Sequence, residues 1–410
     1  MINDSIIIFD PIYGNITFSN IAYKIINKSE FQRLRYIKQL GTCDLVFPSA
    51  THSRFEHSLG TYYIVDIYLK NILKNSLLNE LEEPLKNIVE LNRYYDIESQ
   101  HYNLENIFEL IKIAGLCHDI GHGPYSHLFD SFLESKIDSI IKNHEYRSEI
   151  IIEKIILEDD ILKSLLLDTD IKFIKNLINP NNTHKDYIYQ IISNIKNGID
   201  VDKFDYLTRD SYNLGVDLGF KYNDLINEVS VINNNICFNH TKIDNIILMY
   251  EARKKLHKRY LCNPTVLASQ FLLTEILEEI NKEINLVERI SNIDFFIKLT
   301  DDFIINFVNN AYIFNYKLEN KYLIELNKKF SERKFNKHSK IIYSTNKLNS
   351  IDINHNEYIY RTQLGYINHK NNPLNNIEFY KIVDKIPNII KNNEIYDYEH
   401  ITYVNIYYIK

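Results

Sequence analysis

Between residues 118 and 130 the chain carries His118, Asp119, His122, His127 and Asp130: three imidazoles and two carboxylates within thirteen residues. Both groups are ligands for divalent first-row metals. A histidine held by a carboxylate is also a common proton-transfer pair. His118 and Asp119 are neighbours, so a helix points them about 100° apart. Both reach one ion only at a helix end or in a groove, with other elements completing the shell. The plain alternative is a capped helix end with surface histidines. A second cluster lies at 196–215, where Asp202, Tyr206 and Arg209 or Asp210 fall on one side of a predicted helix, with Lys203 beside them. Its plain alternative is an ordinary charged helix. Arg54 and His57, three apart on a third predicted helix, join a guanidinium suited to phosphate oxygens with a candidate ligand. Alone, that pair is more often a salt-bridge partner and a satisfied core histidine.

Several elements must position these groups. Phe108, Ile111 and Ile113 to Gly115 fall at helical spacing, and Gly121, Gly123 and Pro124 stop that helix. A strand and a turn are expected over 5–18. A helix is expected over 20–40, with Phe31, Leu34, Ile37 and Leu40 on one face and Gln32, Arg33, Arg35 and Lys38 on a solvated one. Residues 79–107 are polar and acidic and read as a mobile insertion. Helices follow from His144 through Ile156, over 161–195 with a break at Asn179-Pro180, over 244–280, and over about 294–312. After residue 320 the runs Ile341–Tyr343, Tyr358–Tyr360, Ile377–Tyr380 and Val404–Tyr408 read as strands. The fold class is therefore mainly α, with a helical core over 1–320 and a smaller mixed α/β lobe over 321–410.

Composition narrows the function classes. The net charge of −7 over 410 residues argues against a protein made to coat nucleic acid. Ten glycines and eight prolines favour long helices over a loop-rich all-β fold. Cys43, Cys117, Cys237 and Cys262 are scattered, without paired metal spacing, and read as reduced thiols of a cytoplasmic, reducing compartment. A secretory signal pattern and an apolar run long enough for a membrane span are not expected.

The ordered set His57, His118-Asp119, Asp202 resembles the HD-domain metal-dependent phosphohydrolases. The surrounding words sharpen the likeness: Phe31 to Gly41, Arg54 to Gly60, Ala114 to Phe129 and Asn197 to Asp210 resemble the deoxynucleoside triphosphate triphosphohydrolases, in particular the catalytic core of the animal members that join a SAM domain to the HD domain. The similarity runs over essentially the whole chain, and no SAM-type domain is expected before residue 5. It is weakest at the end, where Leu364-Gly365-Tyr366, Asn372-Pro373-Leu374 and Phe379-Tyr380 carry it. Residues 79–107 make the segment between His57 and His118 longer than in those enzymes.

That resemblance implies a helical HD metallophosphohydrolase core. His57, His118, Asp119 and Asp202 would hold one divalent ion (Mn, Fe, Ni or Zn, with Mg tolerated). Water attack at the α-phosphorus of a dNTP would release deoxynucleoside and intact triphosphate, controlling dNTP levels. Arg54, His122, His127 and Lys203 would bind phosphates, and His144, held by Asp130, would be the general acid or base. Tyr206 and Asp210 would bound the sugar, Asp210 or Gln39 would meet its 3′-hydroxyl, and Leu40 would pack near the 2′ carbon. Arg253 and His257 match positions near the substrate. The tyrosine that helps exclude ribonucleotides in those enzymes is either Tyr260, shifted by one residue, or absent. A regulatory nucleotide site would include Gln32, Arg35, Arg333 and Lys337, but Asn27 takes the place of a guanine-reading carboxylate and Ile6 that of a lysine. A dimer or tetramer is expected. Other readings of the same residues are a different HD phosphohydrolase, such as a 5′-nucleotidase or phosphodiesterase, or a non-catalytic module binding nucleotides or, weakly, single-stranded nucleic acid.

Overall fold

The computed structural model describes residues 6–313, 318–344, 357–365, 376–383, 386–390 and 401–409. Three helices frame its centre. Ser53 caps the Arg54–Asn75 helix, and the Glu56 carboxylate accepts the Ser53 N–H at 2.9 Å, so a capping box fixes where that helix begins. Phe55, Leu59, Tyr62, Val65, Leu69 and Ile72 recur every three or four residues along it and are buried. They pack on the Leu104–Cys117 and Val201–Leu214 helices. The Val201–Leu214 helix is capped by Asp200 and stops at Gly215 in the left-handed region. All three therefore start or stop beside the candidate chemical residues.

The 20–40 stretch is not one helix. It breaks into Asn20–Ile26, Ser29–Gln32 and a tight turn Arg33–Tyr36, and then Lys38 pairs antiparallel with Ser53. Its polar face is only partly solvated. Arg33 is buried and donates to the carbonyls of Leu299 and Ile120 at 3.0 Å and of His122 at 2.7 Å. Those three carbonyls require a donor, and a regular helix would carry the guanidinium past them.

Residues 79–107 are ordered, contrary to the expectation of a mobile insertion. The Leu78–Leu85 helix buries Leu81 and Leu85, and a small hairpin pairs Tyr95 with Tyr102. Arg93 and Tyr94 reach the buried Asp170 at 2.5 and 2.9 Å. The charges that suggested solvation are spent on ion pairs and caps, while the apolar residues between them join the core. The 294–312 helix likewise divides, into Ile293–Phe296 and Asp301–Ile313.

The later strands form two sheets. Glu357–Gly365 and His338–Ser344 flank Ile401–Ile409, both antiparallel to it. Glu378–Val383 pairs with Ile386–Ile390 and lies parallel to Asn235–Asn239, so the end of the chain is stitched into a sheet begun some 150 residues earlier. The fold is thus mainly helical with a smaller C-terminal lobe carrying strands. The Asn372-Pro373-Leu374 word lies outside the described residues. All four cysteines are buried free thiols. Among the described residues no helix is long and apolar enough to cross a membrane.

Candidate active site

His57, His118, Asp119 and Asp202 meet between the three central helices. His57 Nε2 stands 3.3 Å from His118 Nε2, 3.2 Å from an Asp119 oxygen and 3.2 Å from an Asp202 oxygen. His118 Nε2 is 3.4 Å from Asp119 and 3.5 Å from Asp202. The outer nitrogens are committed. His57 Nδ1 donates to Asp205 at 2.7 Å and His118 Nδ1 to the Gly115 carbonyl at 2.8 Å. When neutral, each ring therefore presents a bare Nε2 lone pair, and the two lone pairs face each other. Two acceptors cannot satisfy one another, but a cation between them satisfies both. At a metal–nitrogen distance of about 2.1 Å, bond angles between octahedral and tetrahedral separate two ligands by about 3.0–3.4 Å. The observed 3.3 Å fits.

The electrostatics show that the carboxylates around His57 draw positive charge, either as a proton on the ring or as a metal ion that displaces it. Burial lowers the His57 imidazole's affinity for a proton, yet hydrogen bonds to Asp119, Asp202 and Asp205 more than offset this and raise it well above the usual histidine range. Burial likewise opposes the charge on Asp119, but Arg54 above all, followed by His118 and His122, holds that carboxyl well below its usual range. Arg54 pairs with Asp119 and donates through Nε to Ser126 Oγ at 2.8 Å. Gly60 is required here, because a Cβ on it would lie 1.9 Å from an Asp205 oxygen and 2.3 Å from Arg209.

A second group gathers His122, His127, Asp130 and His144, whose candidate ligand atoms all lie within 4.8 Å of one another. Distance alone would admit an ion. Ring geometry does not favour one, because His122 and His144 stack face to face, with centroids 3.8 Å apart and planes 19° from parallel. Their in-plane lone pairs run side by side and do not converge. Asp130 organises this group for protons. One oxygen accepts from His144 Nδ1 at 2.9 Å, and the other pairs with the fully buried Arg147, which also grips the Gly121 carbonyl at 2.8 Å. Burial would raise the Asp130 carboxyl, but hydrogen bonds from His127 and His144 hold it well below the usual range. Burial, followed by the charges of Arg54 and His144, pushes His122 well below its usual range, so its ring is neutral. The His127 side chain is largely exposed, edge-on to both other rings. Gly121 sets the spacing of the two groups: a Cβ there would lie 2.2 Å from the His144 carbonyl.

The remaining candidates are distributed unevenly. Lys203 is buried beside Asp202, but its ammonium holds Asp200 at 2.8 Å. Burial raises the Tyr206 phenol, with Arg253 and Lys203 opposing, so those three are neighbours. Burial, then Arg253 and His127, lowers His257 to about 3. His257 opens a π-helical turn, His257–Leu261, between the Ile243–Leu256 and Pro264–Ile284 helices. Such a turn shifts the register of the residues beyond it, and Tyr260 lies within it. Tyr260 packs edge-on to Phe47. Leu40 and Gln39 are buried in the turn after Arg33–Tyr36, and Asp210 bonds to His52 at 2.8 Å. On the other side, Asn27 lines a cavity of about 420 Å³ with Ile6, Tyr23, Lys24 and Lys28. Gln32 accepts from Arg35 at 2.7 Å, whose guanidinium covers the Phe55 ring. Arg333 and Lys337 are exposed beyond the Lys321–Ser331 helix and do not line that cavity.

Sequence reasoning missed the residues behind the site: Asp205, Arg147, Ser126 and His52. Asp205 sits three after Asp202 and four before Arg209, a helical ion-pair spacing that was legible. The others act across 17 residues or more, and no local signal marks them.

The HD domain family matches residues 54–210, the span from Arg54 to Asp210 that carries both histidine groups. A putative HD domain-containing protein of Acanthamoeba polyphaga mimivirus is 39% identical over 396 residues, covering 90% of this chain and 83% of its own. The chain belongs to the HD-domain family. Within it, the chain resembles the deoxynucleoside triphosphate triphosphohydrolase SAMHD1: the Dictyostelium discoideum homolog is 34% identical over 72% of this chain and 53% of its own, and the Homo sapiens protein 33% over 72% and 49%. The chain thus spans about half the length of those SAMHD1 relatives.

Proposed function

We propose that this protein is a metal-dependent hydrolase of deoxynucleoside triphosphates that releases deoxynucleoside and triphosphate. The observation that carries the reading is the pair of opposed Nε2 atoms of His57 and His118, 3.3 Å apart, each on a ring whose Nδ1 is held by a partner on the far side. These nitrogens, with Asp119 and Asp202, fit a divalent ion, which when bound polarises a phosphoryl oxygen and lowers the pKa of water. HD-family membership and the SAMHD1-type relatives support the reaction class.

The chain's own groups supply the rest. Arg54 offers a guanidinium at the edge of the ligand set, with Asp119 and Ser126 fixing its orientation. His122, neutral and buried, presents a donor without adding charge. His144 has Nδ1 committed to Asp130, so Nε2 is the atom that moves the proton. As water attacks the α-phosphorus and the bond to the 5′ oxygen breaks, that oxygen leaves as an alcohol and takes its proton from His144 Nε2, and the proton that the attacking water sheds restores His144. Tyr206, Asp210, Gln39 and Leu40 bound the sugar, and Arg253, His257 and His127 line the approach. Lys203 contributes to the phosphate field only through its pair with Asp200.

Product analysis tests this. Purified protein incubated with dGTP and Mn²⁺ is expected to yield deoxyguanosine and triphosphate in equal amounts. Deoxyguanosine monophosphate plus pyrophosphate, or no turnover of any dNTP, would sink the proposal.

A further inference from the structure

His52 has no role in the proposed reaction, yet it is the only other histidine among the described residues buried in a side-chain ion-pair contact beside that site. Its Nε2 stands 2.8 Å from an Asp210 oxygen, and both side chains are nearly inaccessible. Asp210 is an acceptor, so Nε2 carries the proton and Nδ1 is left as a bare acceptor. That Nδ1 is buried and meets no hydrogen-bond partner among the described residues. Gln39 Oε1 is in the same condition. The two residues are joined through the backbone, since Gln39 N–H donates to the His52 carbonyl at 3.0 Å. This contact belongs to a short antiparallel ladder in which Arg54 N–H donates to Ile37 at 2.9 Å and Lys38 pairs with Ser53.

Buried acceptors without donors cost stability, so native proteins retain them where a ligand or water supplies the donor. Here two such acceptors and a carboxylate belong to residues tied together by hydrogen bonds. A hydroxyl brings one such donor without bringing charge, and its oxygen can accept in turn from the Gln39 amide. We infer that His52 is a positioning residue: through its ring it sets the Asp210 carboxylate, and through its carbonyl it sets Gln39, so that the pair receives the sugar 3′-hydroxyl of the nucleotide. The inference rests on the dNTP reading and goes beyond it by assigning sugar recognition to a residue that does not itself touch the reacting atoms. His52 also sits two residues before Arg54, so one ladder delivers both a sugar-setting imidazole and a phosphate-facing guanidinium to the same site.

The test compares dATP with 2′,3′-dideoxyATP, which lacks the 3′-hydroxyl, in wild type, His52→Leu and His52→Gln. The wild type is expected to prefer dATP in kcat/KM. His52→Leu removes the donor to Asp210 and is expected to lose about tenfold or more on dATP, mainly through KM, while its kcat/KM on dideoxyATP is unchanged. His52→Gln can still donate to Asp210 from its amide and is expected to recover most of the preference. Thermal melts within a few degrees of wild type show that both variants fold. Equal losses on both nucleotides, or a failure of Gln to restore what Leu removes, would overturn the positioning role. A wild type that cleaves dNTPs without preferring the 3′-hydroxyl would overturn it too, leaving the dNTP reading intact. A wild type that cleaves no dNTP would instead overturn that reading, and this inference with it.

Discussion

Two histidine clusters lie side by side in this protein, built from the same residue types, and they are prepared for different chemistry. In His57, His118, Asp119 and Asp202 the outer ring nitrogens are tied down by Asp205 and the Gly115 carbonyl, and the inner nitrogens converge. In His122, His127, His144 and Asp130 two rings lie face to face at 3.8 Å, and the carboxylate is spent on one imidazole and one arginine. The inventory of ligands does not separate the clusters. The partners behind them do, because a partner on Nδ1 decides where the Nε2 lone pair points and whether it is free. On the proposed reading one cluster holds a cation and the other holds and moves a proton.

That contrast can be broken most sharply by exchanging one residue in each cluster. Asp202→Asn replaces a charged ligand with a neutral, poorer one, and metal analysis of the purified variant is expected to show the ion lost. His144→Ala is expected to retain its metal in full while turnover falls by roughly 10²–10⁴, the range for a general acid or base. Full occupancy in Asp202→Asn, or metal lost from His144→Ala, would mean that the clusters have been assigned the wrong way round.

A smaller effect is expected one step further out. Asp205→Asn leaves all four candidate ligands in place but weakens the bond that aligns His57, so metal affinity should drop about 10–100-fold, the usual cost of an outer partner. Competition with a chelator measures it. An unchanged affinity would show that the His57 ring is oriented by packing alone.

Smaller still is a stability effect in the segment joining the clusters. Tyr125 and Ser126 both have positive φ, 58° and 60°, a costly conformation for residues with side chains. Asp301 pins them, accepting the Tyr125 N–H at 2.6 Å and the Lys38 N–H at 3.0 Å. Burial pushes the Asp301 carboxyl up to about 7, despite those two donors and the Lys38 charge. The folded protein therefore keeps a proton that the unfolded chain releases from about pH 4 upward. Its contribution is present in full below that pH and is lost as pH rises through about 7. Melting temperatures from pH 4.5 to 8 are expected to decline more steeply for wild type than for Asp301→Asn. Parallel curves would refute this.

How much of the site was legible in the sequence depends on the range of the forces involved. The residues that the structure brings together were, because His57, His118-Asp119 and Asp202 sit at helix ends marked by local signals: a capping box, a Gly-Pro stop and an Asp cap. The Val201–Leu214 helix was visible from its three- and four-residue spacing. What failed was any inference from charge to solvent. Arg33 read as exposed, yet it is buried because carbonyls 87 and more residues away need its protons. Residues 79–107 read as mobile, yet Asp170 and Glu82 draw their polar groups inward. The stacking of His122 on His144 was also out of reach, since it depends on Gly121 letting two segments touch.

The smallest expected effect concerns a third region, the cavity around Asn27, where residue type is again a poor guide without its partners. The resemblance would make this a regulatory guanine site. A carboxylate accepts both guanine N–H donors, whereas Asn27 can accept through one oxygen only and presents donors elsewhere. Losing a charge-assisted hydrogen bond costs about 1.5–3 kcal/mol, roughly tenfold or more in affinity. The nearby cation Lys28 is already held by Asp159 at 2.5 Å, on the rim of the same cavity, and Ile6 offers no charge to a phosphate. Arg35 is drawn over the Phe55 ring and onto Gln32. GTP at micromolar concentration is therefore expected to stimulate dATP hydrolysis by less than about twofold, about what losing this much affinity leaves at an unsaturated site. Activity with and without GTP, run beside sizing measurements, decides it: strong stimulation coupled to assembly would mean that groups brought by a second copy of the chain complete the site that Asn27 leaves unfinished.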